Sequence, residues 1–498
     1  MSVQILLQGR IFGFDEFVSA SGPTEAELTG RAHWAGLLSE ILPRALIAEL
    51  NLSKMLLGSS GSEQFLLVLP DEFRGQAEEF LRSARRSAAE MSGGQLDLLW
   101  TVTENLGDWT VVRKRLNEQM RQRRGTPLAG TGPHSEGEAE TADAEYFREF
   151  SSVMREAAWL GWSPEAPARI EWAGGKHRWA IGSGPGAAVD AIPIARHTAL
   201  SDDGHYTATA DVMARRAEGA EIWGVLRGDV DNFGIRIRRL QTIEEHVQLS
   251  VLYKQLLGGE LEVLCSMGEF WRKVTLIYAS GDDFAVYGAW DALIAFGREL
   301  QRLFHRFAEE QLKDFPGPEG KTITMALALA QSSETNLASV YEAAGKKLEL
   351  AKSIDRDCFH LLGRTLEWKQ LSDAAEVKDD LTRMVKDYGI PSQYIRELCG
   401  IYRETKRTGG QGEKSSRRTE KPWRFHRRLN RILSSGDQGS GRSREFQKAR
   451  NGLVADLVGR NPAHLKLRPA GRVALEWARL STEQTSGGKV FLTNSQGV

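Results

Sequence analysis

Four aspartates in two clusters are the residues of this chain best suited to chemistry. Asp229 and Asp231 stand in RGDVDNFG, just after the apolar run EIWGVL; Asp282 and Asp283 stand in SGDDF, between the runs VTLIYA and FAVYGAW. Gly-Asp is ordinary turn chemistry, and a lone DVDN is commonly an Asx-turn. Two such clusters at strand ends of one sheet mean more. Carboxylates gathered at one point repel, and their pKa values rise unless a cation compensates. Their oxygens suit hard Mg²⁺, which takes one or two protein carboxylates plus substrate phosphates. Two such ions about 4 Å apart clamp the attacking hydroxyl and the leaving oxygen of a phosphoryl displacement. Gly281 permits the tight turn and a close backbone approach to phosphate.

The elements that must position these acids read as a split βαβ unit. EIWGVLRGDVD is a strand ending in acids, and IEEHVQLSVLYKQLL through LEVLCSMGEFW a helix. VTLIYAS and FAVYGAW are paired strands, and DALIAFGRELQRLFHRFAEEQL is a helix with Asp291 as N-cap. TITMALALA is a further strand and LASVYEAAGKKLELAK a further helix. Strand–helix–strand–strand–helix–strand is the ferredoxin-like order, which brings both acidic clusters to one sheet edge. Upstream come the amphipathic stretch HWAGLLSEILPRALIAEL, the buried-strand run QFLLVLP, the helix RGQAEEFLRSARRSAAEM and the strand LDLLWTVTE. These form an α/β or α+β layer.

The expected division is therefore a first domain over 1–130, a linker and small insert over 131–220, the acid-bearing domain over 221–370, and a helical region over 371–498. The polar tract RGTPLAGTGPHSEGEAETADAE, which breaks periodicity, supplies the linker. At 498 residues the chain is too long for one core. Its 41% apolar and 26% charged residues are those of a globular protein, and a net charge of −1 gives no global field for nucleic acid. Three scattered cysteines, Cys265, Cys358 and Cys399, make neither a disulfide framework nor a zinc site, and fit a reducing cytoplasm. No leader or membrane-length apolar run is present, so no membrane partner is expected.

GVLRGDVDNFG, YASGDDFAVYGAWD, TITMALALA and AAGKKLELAK together resemble the palm domain of the large subunit of type III CRISPR–Cas effector complexes. That family shows DVDNLG-like, YSGGDD-like and xVGPWD-like segments and a helix ending in Ala-Lys. Its palms are related to GGDEF diguanylate cyclases and adenylyl cyclases. The match is specific over about 195–370, with HTALSDDGHYTATADVMARR as its lead-in; GSSGSEQFLLVLP resembles the strand of a first, degenerate palm. The C-terminal helical region looks more Csm-type than Cmr-type. The resemblance implies an α+β fold with two ferredoxin-like palms, the first degenerate, and an all-helical C-terminal domain. It implies ATP and Mg²⁺ or Mn²⁺, converted into 3′–5′ cyclic oligoadenylate when target RNA binds. Carried over by position, Asp229 and Asp283 would hold metal, Asp282 would complete the catalytic tip, and the Val230 carbonyl would face a metal. Ser280, Gly281, Asn232 and Lys352 would contact nucleotide, although Asp231 and Asn232 can equally shape the turn, and Lys352 can be a solvated helix-end lysine. The implied partners are a small helical subunit, a crRNA-end-binding subunit, backbone subunits, crRNA and target RNA.

Departures from the family pattern matter. Ser280 stands where the first glycine usually lies; if that position needs φ > 0, serine is strained. There is no His-Asp dipeptide, and His33 reads as a packed core residue, so the nuclease domain of many relatives is not expected. The cysteine pairs of a zinc site are missing too. Between Arg403 and Arg450 stand fifteen Lys or Arg against five acids, with Trp423 and Phe425 interleaved. Such a tract either contacts RNA phosphates and bases or is a solvated loop. Two rival functions stand beside the synthase: a scaffold subunit whose palm is impaired by Ser280, and a stand-alone cyclase.

Overall fold

The computed structural model describes residues 3–124, 143–156, 159–162, 168–170, 179–182, 194–332, 335–407 and 469–483, with isolated positions at 427, 431, 452, 453 and 457. It is a mixed α+β protein. The first lobe runs β1 (Gln4–Phe12), α1 (Phe14–Ser19), α2 (Glu25–Glu49), β2 (Leu57–Gly61), β3 (Gln64–Pro70), α3 (Arg74–Met91), β4 (Asp97–Glu104) and α4 (Trp109–Arg124), with α5 (Ala144–Glu156) packed on α2. Its sheet is antiparallel, in the order β2-β3-β1-β4.

Strand β1, QILLQGRIF, was not anticipated. Ile5 and Leu7 face the main core, while Leu6 faces a second cluster with Trp109, Val112 and Leu116 of α4. Burial on both faces erases the alternation that marks a half-exposed strand. Helix α2 also departs from expectation. Its sequence predicts an amphipathic helix, but it is buried on nearly every face, because β2, α5 and the second lobe all pack on it.

Small strands β5 (Trp159–Trp162), β6 (Ala168–Ile170) and β7 (Trp179–Gly182) pair in the order β5-β7-β6, and α6 (Ala210–Arg215) follows. The second lobe then runs β8 (Trp223–Val230), α7 (Phe233–Arg239), α8 (Ile243–Gln255), α9 (Leu261–Ser266), β9 (Val274–Ser280), β10 (Asp283–Ala289), α10 (Trp290–Gln311), β11 (Ile323–Leu329), α11 (Leu337–Ile354), β12 (Cys358–Leu361) and β13 (Arg364–Glu367). Its sheet order is β13-β12-β11-β8-β10-β9, so β8 lies between β10 and β11 as β1 lies between β3 and β4. The β12–β13 hairpin is an unanticipated extension, β12 being parallel to β11. Two helix readings need correction. The stretch after α8 passes through a π-helical turn at Leu256–Glu260 and stops at Ser266, short of Trp271. Helix α10 has Ala289 as N-cap; Asp291 lies inside the first turn and pairs with Lys273 instead, 3.1 Å away.

One face of the second sheet, with Leu226, Leu276, Phe284, Val286 and Met325, packs under α10 and the C-terminal helices. Those are α12 (Trp368–Lys386), α13 (Gln393–Arg407) and α14 (Pro469–Thr482), whose apolar residues belong to the same cluster. The other face, with Val225, Tyr278, Ala285, Tyr287 and Ala328, joins the core of the first lobe. The lobes therefore share apolar contact as well as a buried polar knot. Glu40 of α2 is met by Arg44 at 2.8 Å and, from α8, by Lys254 at 2.8 Å. Burial pushes the Glu40 carboxyl up, but Lys254 and then Arg44 outweigh it and hold it below its usual value. Lys254→Met should lower unfolding free energy by about 1–3 kcal/mol, less than breaking an isolated buried pair because Arg44 remains. Denaturant titration of both chains checks this.

Candidate active site

The strand register brings the two acidic clusters together. Asp229, at the end of β8, is the direct cross-strand partner of Asp283, the first residue of β10. The tip between β9 and β10 is tied down by the Val230 amide, which donates to the Asp282 carbonyl at 2.7 Å. Directly opposed like charges destabilise a sheet, and the three carboxyls respond. Burial first, then Asp283 and Asp229, push Asp282 well above the usual carboxylate range. Burial raises Asp283 to about 7, with Arg227 opposing and Asp229 reinforcing. Asp229 is also raised, by burial, against the pull of Lys352. Lys352 reaches in from the end of α11, its Nζ 3.2 Å from Asp229 Oδ1 and 3.1 Å from Glu349.

Among the described residues, no three His, Cys, Asp or Glu side chains meet as a ready-made metal cage. The donor set nevertheless fits Mg²⁺ or Mn²⁺. Such ions need only one or two carboxylates when substrate phosphates complete the shell, and Asp229 opposite Asp283 is a carboxylate pair whose charged form burial disfavours despite Lys352 and Arg227 nearby.

The remaining sequence candidates separate by role. Asp231 is buried and structural: it accepts from Thr322 Oγ1 at 2.8 Å, Thr324 Oγ1 at 2.7 Å and the Asp357 amide at 2.9 Å. Asn232 has φ 57° and starts α7, turning the chain away from the sheet. Val230 is buried and directly precedes that turn. The positive φ at the acidic tip falls on Gly281, at 67°, and not on Ser280, which ends β9 as ordinary strand. Strain at Ser280 is thus not a feature of this protein. Its hydroxyl accepts from the Ser62 amide at 2.9 Å.

That bond exposes what sequence reading missed. Ser62 and Glu63 form the β2–β3 tip, both with positive φ (53° and 58°), and abut the Ser280–Gly281 tip. Burial, then the charge of Asp283, raise Glu63 to about 7. The signal was only the short polar gap GSE between two apolar stretches. Behind both tips lies a cavity of about 70 Å³ lined by His33, Glu40, Ser62, Lys254, Tyr278 and Gly281. His33 is buried there and is held neutral, pushed down to about 4 by burial and Arg196. Trp423, Phe425 and nearly all of the basic tract lie outside the described residues.

The paired carboxylates stand at adjacent, antiparallel strand ends of a mixed sheet, and comparison with known proteins narrows what that sheet is. Residues 222–360 match the model of the Cas10/Cmr2 second palm domain. A Mycobacterium tuberculosis protein named CRISPR system single-strand-specific deoxyribonuclease Cas10/Csm1 (subtype III-A) is 30% identical over 130 residues, 22% of this chain and 16% of that one. Its Thermococcus onnurineus namesake is 22% identical over 174 residues, 32% and 21% of the two chains. The matched stretches thus span about a fifth or less of these curated relatives. A solved Csm1–Csm4 cassette in complex with cA4 has the same fold, with a TM-score of 0.71 and 14% identity over 96% of this chain and 70% of that one. The complex with AMPPNP gives 0.64 and 16%, covering 80% and 62%. Residues 222–360 are thus similar to a Cas10/Cmr2-type second palm, the curated relatives they resemble are Csm1 proteins, and the chain shares the fold of Csm1.

Proposed function

We propose that the chain is the large subunit of a type III effector complex and that it makes 3′–5′ cyclic oligoadenylate from ATP when target RNA is bound. On this reading the two sheets are two ferredoxin-like palms, and only the second carries the acids. The observation that carries it is the pairing of Asp229 with Asp283 across adjacent strands, with Lys352 beside them. Structural neighbours solved with cA4, AMPPNP and ATP support a nucleotide substrate and this product class. A divalent ion held by Asp229 and Asp283 would activate a 3′-hydroxyl and neutralise charge on the α-phosphate it attacks. Gly281 would let the backbone come close to phosphate, and Lys352, which sits beside Asp229, would hold the triphosphate. Asp282 keeps the tip acidic.

A small helical subunit, a crRNA-end-binding subunit and backbone subunits would complete a cytoplasmic ribonucleoprotein. The Csm1–Csm4 neighbours support assembly with another subunit of such a complex. The test is the assembled complex with Mg²⁺ or Mn²⁺, labelled ATP and cognate RNA. Cyclic oligoadenylate is expected; its absence with RNA binding intact would leave a scaffold, and product from GTP instead would favour a different cyclase.

A further inference from the structure

The face of the second sheet that bears Asp229 and Asp283 carries a second constellation, which the proposed chemistry leaves unused. Tyr278, buried on β9, donates its hydroxyl to Asp283 Oδ2 at 2.9 Å. Arg227, two residues before Asp229 on β8, donates to the Tyr278 oxygen at 3.1 Å. The same guanidinium nitrogen donates to Asp15 Oδ1 at 3.0 Å, and Asp15 belongs to α1 of the first lobe. Tyr341 of α11 holds the far end: its hydroxyl donates to Asp15, and its ring lies 4.4 Å beneath the guanidinium. Space for that buried cation is provided by small neighbours. Ala285 and Ala326 flank Arg227 across the sheet, and a Cβ on Gly345 would stand 2.8 Å from its Nη1.

This arrangement is costly unless it does something. A guanidinium is desolvated between two tyrosine rings, yet only one Tyr278–Asp283 hydrogen bond connects it to the acids. Groups that hydrogen-bond a ligating carboxylate fix its orientation, and losing one typically weakens metal binding about 10–100-fold. We propose that Tyr278 is a positioning residue for Asp283, and that Arg227 and Asp15 extend its hold into the first lobe. The chain Asp15–Arg227–Tyr278–Asp283 then makes the attitude of a metal-binding carboxylate depend on where α1 sits. This inference rests on the metal-dependent reading above.

The test is Mn²⁺ binding to the full chain, followed by the electron spin resonance of the free ion. Tyr278→Phe keeps the ring, including its edge contact with Phe14 at 5.0 Å, and should weaken Mn²⁺ binding about 10–100-fold. The melting temperature of the metal-free chain should stay close to that of the wild type. Asp15→Asn should weaken binding by a smaller factor in the wild-type chain and by none once Tyr278 is Phe, because the two act in series. In the assembled complex, excess Mn²⁺ should restore turnover to Tyr278→Phe. Equal Mn²⁺ affinity in wild type and Tyr278→Phe, or full additivity with Asp15→Asn, overturns the inference alone. A wild-type chain that takes up no Mn²⁺ even with AMPPNP present overturns the synthase reading and this inference with it.

Discussion

Asp283→Asn should abolish the proposed nucleotide chemistry while making the metal-free protein harder to melt. The first effect follows from removing one of two opposed carboxylates: synthesis should fall at least about 100-fold, since neither a lysine nor an amide supplies the missing negative oxygen. The second follows from linkage. Burial, with Asp229 directly opposite, lifts Asp283 to about 7 in the folded chain, against roughly 4 when unfolded. A carboxyl displaced upward costs stability as pH rises from the unfolded value to the folded one, and the full cost persists above. The gain from Asn should therefore be small near pH 4, grow between about 4 and 7, and level off beyond. At pH 8 a rise of about 2–6 °C is expected. Melts of both chains across that range, with and without Mn²⁺, check it. Mn²⁺ should stabilise the wild type and leave Asp283→Asn nearly unmoved; a pH-independent difference would contradict the assigned cause.

Gly281→Ala should be almost as damaging, by a mechanical route. Gly281 has φ +67°, where a side chain costs about 1–2 kcal/mol. An added Cβ would also fall 1.1 Å from Ser62 Oγ and 2.2 Å from Ser62 Cβ, so rotating the serine hydroxyl does not relieve it. The two tips must part, taking with them the Ser62 amide bond to Ser280. Unfolding free energy should drop by about 2–4 kcal/mol and synthesis by at least about tenfold. Removing the obstacle with Ser62→Gly in the same chain should recover part of both. A double variant no better than Gly281→Ala would place the damage in the turn alone.

How much of this was legible in the chain depends on how local each determinant is. Asp229 and Asp283 could be placed side by side because two apolar runs ended in acids and the element order fixed their neighbours. For Asp231 the sequence leaves both the site and the turn open. The strand ends at Val230, and the turn carries Asp231 inward to two threonine hydroxyls. Those partners lie 91 and 93 positions away, too far for the sequence to decide between the two. Tyr278 read as one more apolar strand residue, since its partner Arg227 lies 51 positions away and Asp15 much further. Likewise β1 was hidden by burial on both faces, and Ser62–Glu63 by being short and polar. Strain at Ser280 is conditional in the sequence for a different reason: whether a residue in a two-strand tip needs positive φ depends on the turn's register, which assigns that burden to Gly281.

Because one apolar cluster runs from α2 through to the underside of β8 and β10, the two halves are not doors on a hinge. Swinging them apart would wet that whole surface at once, at a free-energy cost far beyond what one bound nucleotide returns. Rearrangement here has to be shear, a slide of an ångström or two along packed faces. Contacts at the edges of the seam, where Ser62 meets Ser280 and Asp15 meets Arg227, are the ones such a slide would make and break.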